Sequence, residues 1–193
     1  MKLAISLTTA TCCLLAAAPA LAKAPSGFVT GFERIESISY VQAKTTLAGV
    51  EQTSSSWRAG MGTNAGNGYS IPRISLEYSW ELGLSVGVAI GFTFSWKDKV
   101  APDAEVFEPR VGYSVELTDD LLLWPRLGLT IHDLTNPDAT HTALSVTLPV
   151  LSRQHDLGSM NFGPYVDVGL GGSAGDADQK LTEFGIAIGF QLF

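Results

Sequence analysis

An all-β fold of about eight antiparallel strands, closed up-and-down into a barrel that crosses a membrane, is what this 193-residue sequence predicts. Three observations carry that prediction. After residue 69, large apolar residues recur at every second position; the positions between them are small or charged but hold almost no lysine; and turn residues punctuate the pattern. Period two is the repeat of a strand, whose successive side chains point to opposite faces. No stretch of about 18 apolar residues follows the N-terminal region, so a spanning helix is not the means of crossing.

The chain opens with the pattern of a secretory signal peptide over residues 1–22. Lys2 is the basic region, Leu3 to Ala18 a small apolar run, and Ala20-Leu21-Ala22 an A-x-A cleavage site, with Ala22-Lys23-Ala24 as a second possibility. Residues 23–193 form the exported barrel domain. Both cysteines, Cys12 and Cys13, lie in the leader, so the mature chain holds neither disulfide, cysteine metal site nor cysteine nucleophile. The formal charge of −7, which becomes −8 when Lys2 leaves, argues against a nucleic-acid partner.

The first strand is expected over FERIESISYVQ, residues 32–42, where the alternation is poor: Arg34, Glu36, Ile38 and Tyr40 share one face. Residues 43–68, rich in Ser, Gly and Asn, are expected as a long first loop. The next strand, 69–80, places Pro72, Ile74, Leu76, Tyr78 and Trp80 on one face and Arg73, Ser75, Glu77 and Ser79 on the other. A turn centred on Glu81 sets Arg73 opposite Ala89 and Glu77 opposite Ser85. Residues 82–96, LGLSVGVAIGFTFSW, have one face of continuous hydrocarbon and one of Gly, Ser, Ala and Thr. The strands 106–117, 121–132, 142–150, 160–171 and 182–193 repeat the division.

Short connections are expected at Glu81, at 118–120 and at 152–158. Longer ones are expected at 97–105, 133–141 and 172–180, which is the length alternation of a membrane barrel. Five prolines, Pro72, Pro109, Pro125, Pro149 and Pro164, fall within the expected strands, where each removes a ladder donor. They mark bulges or strand portions outside the membrane.

A soluble barrel would turn the apolar face inward and a membrane barrel outward. Lys23, Lys44, Lys97, Lys99 and Lys180 all lie at strand ends or in loops, and the polar faces carry Gly, Ser, Ala and Thr with a few charges. Such faces suit a crowded interior rather than a water-facing coat. Tyr78, Trp80, Trp96 and Tyr113 lie on the apolar faces as an interfacial girdle. With the leader, the alternating strands and the phrases IPRISLEY, EPRVGY and WPRLGL assembled, the chain resembles the small eight-stranded outer-membrane barrels of Gram-negative bacteria. The resemblance implies the fold and an outer-membrane location. It also implies recognition by the barrel-assembly machinery through terminal Phe193, although Gln191 stands where that signal usually has an apolar residue.

The charged residues expected to meet in the lumen are Arg73, Glu77, Glu108, Arg110, Glu116, Arg126, Asp167 and Glu183. They form either a structural plug of paired charges or the lining of a narrow ion path. His132 and His141 flank the connection at 133–140, and His155 is the third histidine. The run His141-Thr142-Ala143-Leu144-Ser145 lacks the His-x-Ser-Asn of lipid A deacylase barrels, so no catalytic residue is assigned. Asp176-Ala177-Asp178 lacks the rest of a calcium loop, and neither GMGTNA nor GLGGSA opens a helix, so no metal or cofactor is expected. The partners are outer-membrane lipid and an extracellular partner reached through the loops. The function that follows is structural or surface-interacting; a narrow pore is the alternative, and a lipid-modifying enzyme the third reading.

Overall fold

A computed structural model describes residues 26–61, 72–92, 104–135, 138–155 and 158–192. The signal peptide expected over residues 1–22 and the terminal Phe193 lie outside the described residues.

The chain forms twelve strand segments: β1 (Gly27–Leu47), β2 (Val50–Met61), β3 (Arg73–Ser79), β4 (Leu84–Phe92), β5 (Ala104–Tyr113), β6 (Val115–Thr118), β7 (Leu121–Leu123), β8 (Arg126–Thr135), β9 (Asp138–Thr147), β10 (Val150–His155), β11 (Gly158–Ala174) and β12 (Ala177–Leu192). Eight of them, β1, β3, β4, β5, β8, β9, β11 and β12, pair antiparallel in that order, and β12 returns to β1. The barrel is therefore closed and up-and-down, with no free edge in the ring. The other four extend these staves. β2 pairs with β1 above the stretch where β3 pairs with it, while β10, β7 and β6 continue the ladder from the lower end of β11.

The logic of the barrel shows in its rows. Stepping from Tyr40 along hydrogen-bonded partners gives Phe184, Val166, Val146, Leu127, Val111, Val86, Tyr78 and finally Phe28, back on β1. Every residue of that circuit is apolar, and Phe28 at its end is 71% exposed. The row beside it runs Val41, Glu183, Asp167, Ser145, Gly128, Arg110, Gly87, Glu77 and Val29. Here long charged side chains are spaced by glycine and serine, and Asp167, Arg110 and Glu77 are buried. Hydrocarbon outside and charge inside inverts a soluble protein and matches a membrane-spanning barrel of the outer-membrane type.

Several local readings are corrected. The turn after β3 spans Trp80 to Gly83, closed by the Gly83 amide donating to the Trp80 carbonyl at 2.8 Å, with Gly83 at φ +87°. It moves the register by two, so that Arg73 faces Gly91 and Glu77 faces Gly87, not Ala89 and Ser85. Much of the stretch 43–68, expected as a loop, is strand: β1 runs to Leu47, and β2 returns from Val50 to Met61 through the two-residue turn Ala48–Gly49. Where connections are expected at 133–141 and 172–180, β8 runs on to Thr135 and β9 begins at Asp138, and only Gly175–Asp176 separates β11 from β12. Hydrophobic alternation reports only the part of a strand that meets lipid, and these hairpins keep pairing beyond it.

The poor alternation of the first strand has a cause in β1. Between Phe32 and Glu36 two extra residues are inserted against β12, and Arg34 takes φ +52°. Glu33 and Arg34 consequently both turn inward and are 8% exposed each, while Ile35 points out. A bulge of this kind re-aims side chains at the expense of local pairing.

The prolines fall largely at interruptions of the ladder. Pro72 precedes β3, Pro125 separates β7 from β8, and Pro149 separates β9 from β10. The carbonyls of Pro125 and Pro149 bridge the breaks, accepting from the amides of Tyr113 and Trp124 at 2.9 Å each, while Pro164, within β11, accepts from Leu148 at 3.0 Å. Pro109 sits in β5 where its pairing with β8 lapses between Phe107 and Arg110.

Candidate functional site in the barrel interior

Four arginines and four carboxylates meet inside the barrel. Arg110 of β5 holds Glu33 of the β1 bulge through both terminal nitrogens, at 2.5 and 2.7 Å, and also binds Glu77 of β3. Arg126 of β8 approaches the same two acids, with Nε 2.9 Å from Glu77 and Nη1 3.4 Å from Glu33. On the other side Arg73 pairs with Glu108, and Arg34 grips Asp167 in a fork of 2.7 and 3.0 Å. Arg73 lies 3.6 Å from Asp167 and Arg110 lies 3.7 Å from Glu108, joining the two halves into one cluster.

The formal charges cancel: Arg34, Arg73, Arg110 and Arg126 against Glu33, Glu77, Glu108 and Asp167. All eight residues are at most 8% exposed. Charges out of water are tolerated when each is paired and hydrogen-bonded, and Gln191, Thr130, Ser85 and Ser145 supply further bonds to the cluster. Gln191 donates to Glu33 at 3.2 Å, which explains the parity of the C-terminal strand: Phe184, Ile186, Ile188 and Phe190 face outward and Gln191 inward.

Space for the long side chains comes from glycine. A Cβ on Gly87 would lie 2.3 Å from Glu77 Cγ, and one on Gly128 would lie 2.9 Å from Glu108 Cγ. The bare face of β4 is thus the seat of its neighbour's carboxylate.

At the end with the short turns, the lumen is closed by carbon. Trp124 is fully buried and packs in a cluster with Val29, Leu122 and Leu151. Its indole Nε1 donates to Ser85 Oγ at 3.0 Å, and Ser85 donates to Glu77 at 3.1 Å, so this plug and the charge cluster are continuous. The Arg126 guanidinium lies over the Trp124 ring at 4.6 Å. A small cavity of about 30 Å³, room for about two waters, remains between Arg126, Thr147, Asn161 and Pro164.

Of the residues singled out in the sequence, Arg73, Glu77, Glu108, Arg110, Arg126 and Asp167 lie in this cluster. Glu183 is half-buried beside it and accepts a bond from Tyr165 at 2.6 Å; Tyr165 in turn carries Arg34 over its ring at 3.8 Å. Glu116 stands apart, half-buried in β6 opposite Leu122. Glu33 and Arg34 were hidden by the bulge, and only the broken alternation around them signals it. His132 and His141 are direct partners across β8 and β9, with His141 buried and its Nδ1 without a hydrogen-bond partner among the described residues. His155 ends β10 at the opposite end of the barrel. Among the described residues no group of three or more His, Cys, Asp or Glu is placed to hold a metal.

On the outside, Tyr78 and Trp80 stack edge-on at 5.1 Å and Phe28 joins Tyr78 at 5.2 Å, all three exposed. Tyr113 is half-buried, and Trp96 lies outside the described residues. A second aromatic group, Tyr40, Trp57 and Phe184, occupies the outer face nearer the long hairpins.

No protein-family model matches the chain, and no curated protein does. Among solved structures it is similar to Neisserial surface protein A, with 16% identity over 86% of this chain and 97% of that one at a TM-score of 0.44. It is also similar to the outer membrane protein OprG from Pseudomonas aeruginosa, with 10% identity over 86% and 95% at 0.44. The outer membrane protease OmpT from Escherichia coli aligns with 9% identity over 88% and 97% at 0.48.

Proposed function

We propose that this outer-membrane barrel is a non-conducting anchor that holds its projecting hairpins at the membrane surface, where they meet an extracellular partner. The observation that carries this reading is the self-neutralised interior. A conducting path needs mobile water and charges free to interact with a passing ion. Here four arginines are matched by four carboxylates at direct contact, and Trp124 closes one end. Such an interior serves rigidity, which suits a platform.

A narrow pore is the second reading. It is favoured by the cavity beside Arg126, where Arg126 Nη2, Thr147 Oγ1 and Asn161 Nδ2 have no hydrogen-bond partner among the described residues.

Single-channel recording on the refolded barrel in a planar bilayer separates the two, with the unboiled gel shift reporting folding. The anchor reading expects a folded and electrically silent protein. Discrete conductance steps whose size changes in Arg126→Ala would replace it with the pore reading.

A further inference from the structure

The outer face of the three-stranded sheet β2–β1–β12 is ordered in rungs. Nearest the apolar belt are Trp57, Tyr40 and Phe184, with Trp57 69% and Phe184 47% exposed. The next rung holds Ser55, Gln42 and Thr182, none charged. Above it stand Thr53, Lys44 and Lys180, and above those Glu51, Thr46 and Asp178. Lys44 and Lys180 are the only lysines among the described residues, and the ladder sets them directly opposite each other.

Like charges at directly opposed positions of an antiparallel pair destabilise it, so the pair gains from a bound anion. Lys44 lies 3.6 Å from Glu51, but both side chains are more than half exposed, and a pair so open to solvent contributes little. From Tyr40 to Lys44 is four residues, about 13 Å along the strand, which carries the ammonium groups from the aromatic interface into the headgroup layer. An incoming headgroup meets the lysines before the acids, because Glu51 and Asp178 lie one rung farther from the membrane. A groove of about 370 Å³ opens at the same place, lined by Lys44, Lys180, Glu51, Asp178 and Gln179 among others.

We infer that this face binds a phosphate-bearing glycolipid of the outer leaflet. Acyl chains lie on Trp57, Tyr40 and Phe184, sugar hydroxyls meet Ser55, Gln42 and Thr182, and a phosphate sits between Lys44 and Lys180. The rung order selects a lipid over a soluble anion, since the apolar rung is continuous with the lipid-facing belt and the uncharged rung matches the sugar between chain and phosphate. The inference rests on the membrane-anchored reading.

The full mature chain, refolded in detergent, is titrated with diphosphorylated lipid A and with its dephosphorylated form, and bound lipid is counted by native mass spectrometry. The expected result is at least tenfold tighter binding of the phosphorylated form. The double variant Lys44→Gln/Lys180→Gln loses that preference, and Lys44→Arg/Lys180→Arg retains it. Equal binding of the two lipids, an unchanged preference in the glutamine variant, or displacement of the lipid by millimolar inorganic phosphate would each overturn the inference. Single Lys180→Gln serves if the double variant fails to fold. The gel shift is read on the same samples: loss of the heat-modifiable band in the unsubstituted chain refutes the barrel anchor itself, whereas failure of lipid selectivity in a folded barrel refutes only this site.

Discussion

At the residue scale, the stability of the interior rests on Arg110, which serves Glu33 and Glu77 together. Removing it leaves two buried carboxylates short of their main partner. Arg110→Ala should therefore destabilise the barrel by about 3–5 kcal/mol, read as a lowered urea midpoint of the unboiled gel band. An unchanged midpoint would mean that solvent reaches these groups. Glycines provide a second, paired test. Gly87→Ala drives a Cβ onto Glu77, while Gly171→Ala meets nothing within 4 Å among the described residues. The first should lose about 1–3 kcal/mol and the second should change little by the same measurement. The six charged positions gathered inside were legible because strand alternation assigns a face to each residue. Glu33 and Arg34 were not, because the bulge in β1 puts two neighbours on one face, which no period-two reading allows.

At the element scale, β1 is a single strand carrying two registers joined by that bulge. Deleting Ile35 alone reverses the parity of everything after it, sending Tyr40 inward and Ser39 and Val41 into lipid. The deletion should abolish the heat-modifiable band. Deleting Arg34 with Ile35 restores parity, and adding Asp167→Asn removes the charge thereby stranded. This second variant should regain the band at a lower urea midpoint; if both deletions folded equally well, the bulge would have no role in register. The prolines belong to the same scale. In sequence they look like defects in a ladder, but in the barrel Pro72, Pro125 and Pro149 sit at the ends of segments, and the carbonyls of Pro125, Pro149 and Pro164 still accept backbone bonds.

At the scale of the whole molecule, the barrel wall and the hairpins above it are stabilised separately. The wall is fixed by lipid outside and the charge cluster inside, whereas the β1–β2 tip is solvent-exposed backbone pairing. Replacing Thr45–Gln52 by Asn-Gly, which forms a tight hairpin turn, should leave the gel shift and urea midpoint within about 0.5 kcal/mol of the parent. The same change should abolish binding of any partner that reads the tip, measured by pull-down from whole cells. A collapse of the fold would show that the hairpins and wall are one cooperative unit. The fold class, the number of staves and the inside-out polarity were determined by the sequence itself, because lipid on one side and a crowded lumen on the other impose a residue-by-residue alternation that short-range reading detects. Which arginine meets which carboxylate, where strands continue beyond the lipid, and that Lys44 faces Lys180 were decided only by tertiary structure. Those depend on the register between strands distant in sequence, on a two-residue bulge and on a turn whose length differs from the simplest one, none of which leaves a periodic trace in the chain.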